Sequence, residues 1–264
     1  KLVSAGIMCG IAGLIGNRPV AEHSVAERTR MLAHRGPDDS GLWTSDDGHA
    51  ALGHRRLSVL DPSSAGHQPM HRGDLVITFN GEIYNYIELA ERLKSEGARI
   101  ASGCDTEVLL AAYEHWGPAC LDELNGMFAF AILDTGRNIL FCARDRIGEK
   151  PFLFSVSDDH FAFASEYKSL LGLETVAGGY DETRLLRFLY HPSQGLDSEP
   201  QTLFTGISQL PPAHSLTLDL GNLEFRIERY WDVTPVADLA GIKEQDAQAR
   251  FKDLLTDAIK IRMR

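Results

Sequence analysis

The chain has 264 residues, 44% apolar and 24% charged, with 26 basic against 37 acidic side chains and a net charge of −11. That balance argues against a nucleic-acid or anionic-membrane surface, because both need clustered Lys and Arg. No run of about eighteen or more apolar residues is present to span a bilayer, and a core of this size needs no disulfide or structural metal to hold it.

Met8 to about Leu14 is small and apolar, as in a buried strand, and Ala21 to Ala33 has helical spacing. Residues 50–60 and 74–79 are short β-like runs. Tyr84 to Glu96 reads as an amphipathic helix with Tyr84, Ile87, Ala90 and Leu93 on one face and Gly97 to end it. A second helix starts at Asp105-Thr106, carries Val108, Leu109, Ala112 and Trp116, and stops at Gly117-Pro118. Hairpins are predicted around Asp134–Asn138, Ser157–Asp159 and Gly221-Asn222. Many antiparallel strands with few helices, no βαβ series and no GxGxxG predict an α+β layered fold rather than a dinucleotide-binding sheet. The composition shifts at Val233 to Gly241. A helix then follows with an apolar stripe of Phe251, Leu254, Leu255, Ala258 and Ile261, expected to be the first element of a second domain.

Four cysteines, at 9, 104, 120 and 142, form no CxxC pair and no zinc spacing, so a reducing cytoplasm is the simplest setting. His67 and His71 lie four apart, but Gly66, Pro69 and Gly73 predict a loop there, whereas that spacing holds a metal on a helix. No metal site is expected.

Met8-Cys9-Gly10 is the most informative tripeptide. Cysteine is small enough to permit removal of a preceding methionine, which would leave Cys9 with a free α-amine. That amine has an ordinary pKa of about 8 and the thiol about 8.5. One residue would then supply a nucleophile and its own base; the alternative is a core cysteine. Acyl transfer also needs oxyanion donors. The Asn80 amide and the Gly81 N–H suit that role, or form a plain turn into the following helix. A substrate with a fixed carboxylate and ammonium would suit Arg56 for the first and Glu82 and Asp105 for the second. Asp105 reads equally as a helix N-cap, and Arg55 and Arg56 as a solvated edge.

An ordered set of segments carries a resemblance. They are MCGIAGLIG at 8–16, HRGPDDSG at 34–41, GHRRLSVLD at 53–61, FNGEIYNY at 79–86, GCDTEVLLAAYEHWG at 103–117 and LNGMFAFAILD at 124–134. ARDRIGEKPF at 143–152, FASEYKSLL at 163–171, LPPAH at 210–214 and RYWD at 229–232 follow. Residues 8 to about 232 resemble the class II glutamine amidotransferase domain at the N-terminus of glutamine-hydrolysing asparagine synthetases. The resemblance implies an αββα sandwich of the N-terminal-nucleophile (Ntn) hydrolases, two mainly antiparallel sheets with outer helices. It implies Cys9 as nucleophile, Asn80 and Gly81 as oxyanion hole, and a glutamine pocket of Arg56, Leu57, Ser58, Val59, Leu60, Asn80, Gly81, Glu82 and Asp105. Residues 1–8 are then an extension, whether tag remnant, mis-assigned start or propeptide. Residues 9–232 are the glutaminase domain, and 233–264 are a linker and the first helix of a synthetase domain.

The SGGxDS motif of the family's ATP-dependent half is absent. No cofactor is therefore expected in this chain, with ATP and Mg²⁺ confined to the synthetase domain. L-glutamine and that C-terminal domain are the expected partners, and a homodimer stays open. Two alternatives remain: an ammonia acceptor other than aspartate, as in polysaccharide or secondary metabolism, and a non-catalytic Ntn-like module. The full set of Cys9, Arg56, Asn80, Gly81, Glu82 and Asp105 argues against the latter.

Overall fold

A computed structural model describes residues 8–58, 63–173, 176, 179–192, 200–235, 239 and 241–263. In chain order the elements are β1 (Gly10–Gly16), α1 (Glu22–Met31), β2 (Asp39–Thr44), β3 (Ala50–Arg56), β4 (Met70–Arg72), β5 (Leu75–Ile83), α2 (Tyr86–Ser95), α3 (Asp105–Trp116) and α4 (Cys120–Glu123). The second half adds β6 (Gly126–Asp134), β7 (Ile139–Arg144), β8 (Leu153–Val156), β9 (His160–Ala164), α5 (Glu182–Tyr190), β10 (Ser208–Gln209), β11 (His214–Asp219), β12 (Phe225–Arg229) and α6 (Glu244–Ile261). Among the described residues the strands form two six-stranded antiparallel sheets, ordered β10-β8-β9-β1-β3-β2 and β12-β11-β7-β6-β5-β4.

The period-two alternation of strand side chains explains how two sheets and their helices share one interior. Ile11 and Ile15 of β1 pack between the sheets with Val76 of β5 and Ala129 and Ala131 of β6. The intervening Ala12 and Leu14 face outward onto Val25 and Leu32, in and just beyond α1. On the other sheet Leu75, Ile77 and Phe79, with Phe128, Phe130 and Ile132, face outward onto Leu89 and Leu93 of α2 and Val108 and Leu109 of α3. The result is the helix–sheet–sheet–helix order expected. Each buried Ile, Leu or Phe contributes about 1.5–3 kcal/mol of transfer free energy, so both faces of the central strands stabilise the stack.

Two expectations need correction, on the face of α2 and on His71, and two alternatives, a turn at Asn80 and an N-cap at Asp105, do not hold. The face of α2 is set by Leu89 and Leu93, which are one helical repeat apart and buried, while Ile87 is 41% exposed. Asn80, Gly81 and Glu82 form no turn: β5 runs through them, pairing Asn80 with Ala129 and Gly81 with Phe128. His71 lies in β4, with its ring edge-on to Trp43, rather than in a loop. The N-cap position of α3 belongs to Cys104, and Asp105 is the first helical residue, its carboxylate turned across to β5. The α6 helix forms as expected; Phe251, Leu254 and Leu255 of its stripe are open to solvent, and Ala258 and Ile261 are half-buried. Among the described residues no helix is long and apolar enough to cross a membrane, and no cluster of His, Cys, Asp and Glu is placed to hold a metal.

Candidate active site

The register that pairs Gly10 with Arg55 in β1 and β3 carries Cys9 alongside Arg56, and the facing sheet brings the far end of β5 to the same place. Cys9, Arg56, Leu57, Asn80, Gly81, Glu82 and Asp105 line a single cleft that opens to solvent. Ser58 lies beside it, its N–H donating to Asp38 Oδ2 at 2.8 Å. Val59 and Leu60 lie outside the described residues.

The Cys9 sulfur accepts from the Leu57 N–H at 3.4 Å. Its carbonyl accepts from Arg35 Nε at 2.9 Å, and Arg35 is anchored in turn by Glu166 at 2.9 Å. Burial pushes the thiol pKa up; the Leu57 hydrogen bond and the charges of Arg56 and Lys150 pull against that, while Asp105 adds to it. A thiol in this setting needs a base to become a thiolate.

Asn80 is 1% exposed, and among the described residues neither its amide nitrogen nor its amide oxygen has a hydrogen-bond partner. An unsatisfied buried amide costs about 1–3 kcal/mol. That cost falls on a cleft-lining residue in a strand paired along its length with β6, where a donor would be held ready for a charge that develops during reaction. Gly81 is required by space: a Cβ there would lie 2.2 Å from the Met127 carbonyl oxygen across the strand pair. The backbone of Phe79, next to Asn80, is gripped from both sides. Its N–H donates to Gln68 Oε1 at 2.7 Å and its carbonyl accepts from His54 Nε2 at 3.0 Å. Burial drives the His54 pKa down to about 3, so its ring stays neutral and keeps the N–H that this bond needs.

The Arg56 guanidinium donates to the Ser63 carbonyl at 2.7 Å and lies over Gly66, where a Cβ would come within 2.0 Å of it. Asp105 Oδ2 accepts from the Ile83 N–H at 3.0 Å. Burial first, and then the neighbouring Glu82, raise the Asp105 pKa to about 6. Glu82 is itself raised by burial. Two acids whose pKa is raised by burial therefore share the cleft wall with a guanidinium, a pattern suited to a zwitterion. Arg35, His54, Gln68 and Lys150 were not singled out by sequence reasoning. Arg35, His54 and Lys150 lie in segments that carry the resemblance, but no local pattern assigns them a task, since each acts through a contact distant in the chain.

The family described as "Glutamine amidotransferase domain" matches residues 8–231. The chain is 36% identical over 279 residues to "Putative asparagine synthetase [glutamine-hydrolyzing] 2" of Methanocaldococcus jannaschii, covering 97% of this chain and 52% of that protein. It is 38% identical over 260 residues to "Asparagine synthetase [glutamine-hydrolyzing] 3" of Bacillus subtilis, covering 96% of this chain and 41% of the relative. It is 32% identical to "Amidase chry2" of Gibberella zeae, covering 97% of this chain and 39% of that protein. The chain thus spans about half or less of the length of these curated relatives. Among solved structures, the glutamine phosphoribosylpyrophosphate amidotransferase of B. subtilis superposes with a TM-score of 0.62 at 19% identity, over 84% of this chain and 49% of that one. At that identity the likeness speaks for the fold alone, and it agrees with the Ntn-type αββα sandwich of two antiparallel sheets. By the extent of the family match, the chain belongs to the glutamine amidotransferase domain family.

Proposed function

We propose that the chain hydrolyses L-glutamine to glutamate and ammonia, with Cys9 as an N-terminal nucleophile. The observation that carries this reading is the partnerless, buried Asn80 amide on the wall of the cleft that holds the Cys9 sulfur. With Cys9 at the chain start, its α-amine would accept the thiol proton as sulfur attacks the glutamine side-chain carbonyl. The oxyanion would take hydrogen bonds from the Asn80 amide and the Gly81 N–H, and the amine would return its proton to departing ammonia. Water then releases glutamate from the thioester. Arg56 would hold the α-carboxylate of the substrate, and Glu82 with Asp105 its ammonium. The test is ammonia and glutamate release by protein whose N-terminal Cys9 has been verified by intact mass. No release from such protein would overturn the reading.

The ammonia is proposed to serve an ATP- and Mg²⁺-dependent synthetase domain of the same polypeptide that makes asparagine from aspartate, this chain itself using no cofactor. The greater length of the relatives and the open apolar stripe of α6 favour such a partner layer. The similarity to a relative named an amidase keeps open a second reading, in which the ammonia acceptor is not aspartate.

Asp105 gives this reading a pH signature. Its folded pKa, about 6, stands above the ordinary 3.8, so in the empty site its ionisation costs stability as pH rises through that window. A bound ammonium would restore the missing counter-charge. Glutamine affinity, measured by calorimetry on Cys9→Ala protein, is therefore expected to weaken as pH falls below about 6 and Asp105 becomes protonated. Asp105→Asn should weaken binding roughly 10- to 100-fold at pH 7.5 and flatten that dependence. Arg56→Lys should weaken it about tenfold by losing the planar fork. Unchanged affinity in Asp105→Asn would leave Asp105 only its bond to Ile83.

A further inference from the structure

Lys150 follows β7 on a loop built around Asp145, a fully buried carboxylate. Asp145 accepts from the backbone N–H groups of Ile147, Glu149 and Lys150 at 3.2, 2.9 and 3.0 Å. Arg144 Nε donates to the Lys150 carbonyl at 2.8 Å and fixes the loop from the other side. Lys150 is 3% exposed and lines the Cys9 cleft. Its Nζ lies 2.7 Å from the Met8 thioether, and among the described residues no carboxylate stands within ion-pairing distance of it. A thioether is a weak acceptor, and a buried ammonium without a close counter-charge is costly. Burial and the charge of Arg35 lower the Lys150 pKa, while the charges of Glu82, Glu149 and Asp145 act to keep it an ammonium.

Met8 is bonded to Cys9, and Lys150 lines the same cleft as Cys9. The charges around that residue come from every element packed on it: Arg56 from β3, Asp105 from α3, Lys150 from the loop after β7, and Arg35, which follows α1 and donates to the Cys9 carbonyl. Glu82 of β5 acts electrostatically on both Lys150 and Asp105. Asp105 makes the Cys9 thiol harder to ionise, and Lys150 and Arg56 make it easier.

We propose that Lys150 tunes the nucleophile: once Met8 is removed, its ammonium faces the freed amine and the thiol of Cys9 and makes both easier to deprotonate. A like charge beside the amine disfavours its ammonium form, and an opposite charge beside the sulfur favours its thiolate. One cation therefore keeps the amine able to accept a proton near neutral pH and readies the sulfur for attack. This rests on the proposed role of Cys9 as a freed N-terminal nucleophile.

The test uses protein beginning at Cys9, with Lys150→Met, Lys150→Gln and Lys150→Arg. The first readout is the rate of Cys9 alkylation by iodoacetamide against pH without glutamine, followed by peptide mapping. The second is the acid limb of kcat/KM for glutamine. In Lys150→Met and Lys150→Gln both midpoints should move up by about 0.5–1 pH unit with KM changed less than about twofold, and Lys150→Arg should stay near wild type. Unmoved midpoints in both neutral variants would overturn the proposal. So would a tenfold rise in KM with unmoved midpoints, which would make Lys150 a substrate grip instead. An alkylation midpoint that moves in protein releasing no ammonia would uphold the coupling of Lys150 to Cys9 and sink the glutaminase reading alone.

Discussion

Cys9→Ala protein is expected to release ammonia from L-glutamine at least about 10⁴-fold more slowly than its parent, because the sulfur that would form the thioester is gone. The fold should survive. Among the described residues the sulfur makes its hydrogen bonds to the backbone of Leu57, and a methyl group replaces it without crowding. A melting temperature within roughly 2–4 °C of the parent would match a loss of about 1 kcal/mol or less. Cys9→Ser should keep only a small residue of activity, its hydroxyl being harder to ionise than a thiol. Cys104 is the instructive control, since it also lines the cleft. Its thiol pKa is raised by burial and by Asp105, and its sulfur lies 3.9 Å from an Asp105 oxygen, so it is poorly placed to become a thiolate. Cys120, pushed up to about 12 by burial, and Cys142, which burial pushes well above the ordinary thiol range, are inert core thiols. Replacing each of these three with Ala should leave turnover in place. Undiminished ammonia release by Cys9→Ala would end the assignment of the nucleophile.

The strands and hairpins were legible because their signals are local. Asp134 to Asn138 separates two apolar runs, and β6 and β7 form on either side of it. Helix α3 was legible from its apolar spacing and the Gly117-Pro118 stop. The errors came where a partner distant in the chain decides the outcome. Asn80-Gly81 has the composition of a turn, yet pairing with Ala129 and Phe128 holds it in a strand, and the absence of a Gly81 side chain is what lets Met127 approach. Asp105 has the composition of an N-cap, yet its carboxylate is taken by the Ile83 N–H of a strand twenty-two positions earlier. The positions of Cys9, Arg56 and Asn80 in one cleft follow from sheet register, which the sequence states only through family resemblance. The supporting contacts of His54, Gln68 and Lys150 had no signature, because a buried polar side chain is defined by what surrounds it. Helix α5 was missed although it is strongly amphipathic. Its Leu186 and Leu189 are 54% and 65% exposed, so no core demands it.

The second large effect follows from the proposed base. With residues 1–8 attached, the Cys9 nitrogen is an amide and accepts no proton near neutral pH. Met8 itself lines the cleft, its thioether against Lys150. The sulfur then has neither its base nor a clear approach for substrate, and burial holds its pKa up. Protein carrying residues 1–8 is therefore expected to be nearly inactive, and removing them should raise the rate by about 10²–10⁴-fold, the usual contribution of a positioned general base. The removal leaves β1 intact, since the first paired residue is Gly10 and the Cys9 carbonyl remains bound to Arg35. Intact mass and glutaminase rate measured on one sample, before and after proteolysis that ends at Cys9, would read the effect directly. A preparation that retains residues 1–8 by mass and still turns over glutamine at the processed rate would refute the amine as base. The Cys9 thiol would then have to draw its proton acceptor from elsewhere in the cleft. Asp105 is the candidate already on its wall, and its pKa of about 6 would place the acid limb of the rate there instead of at the amine.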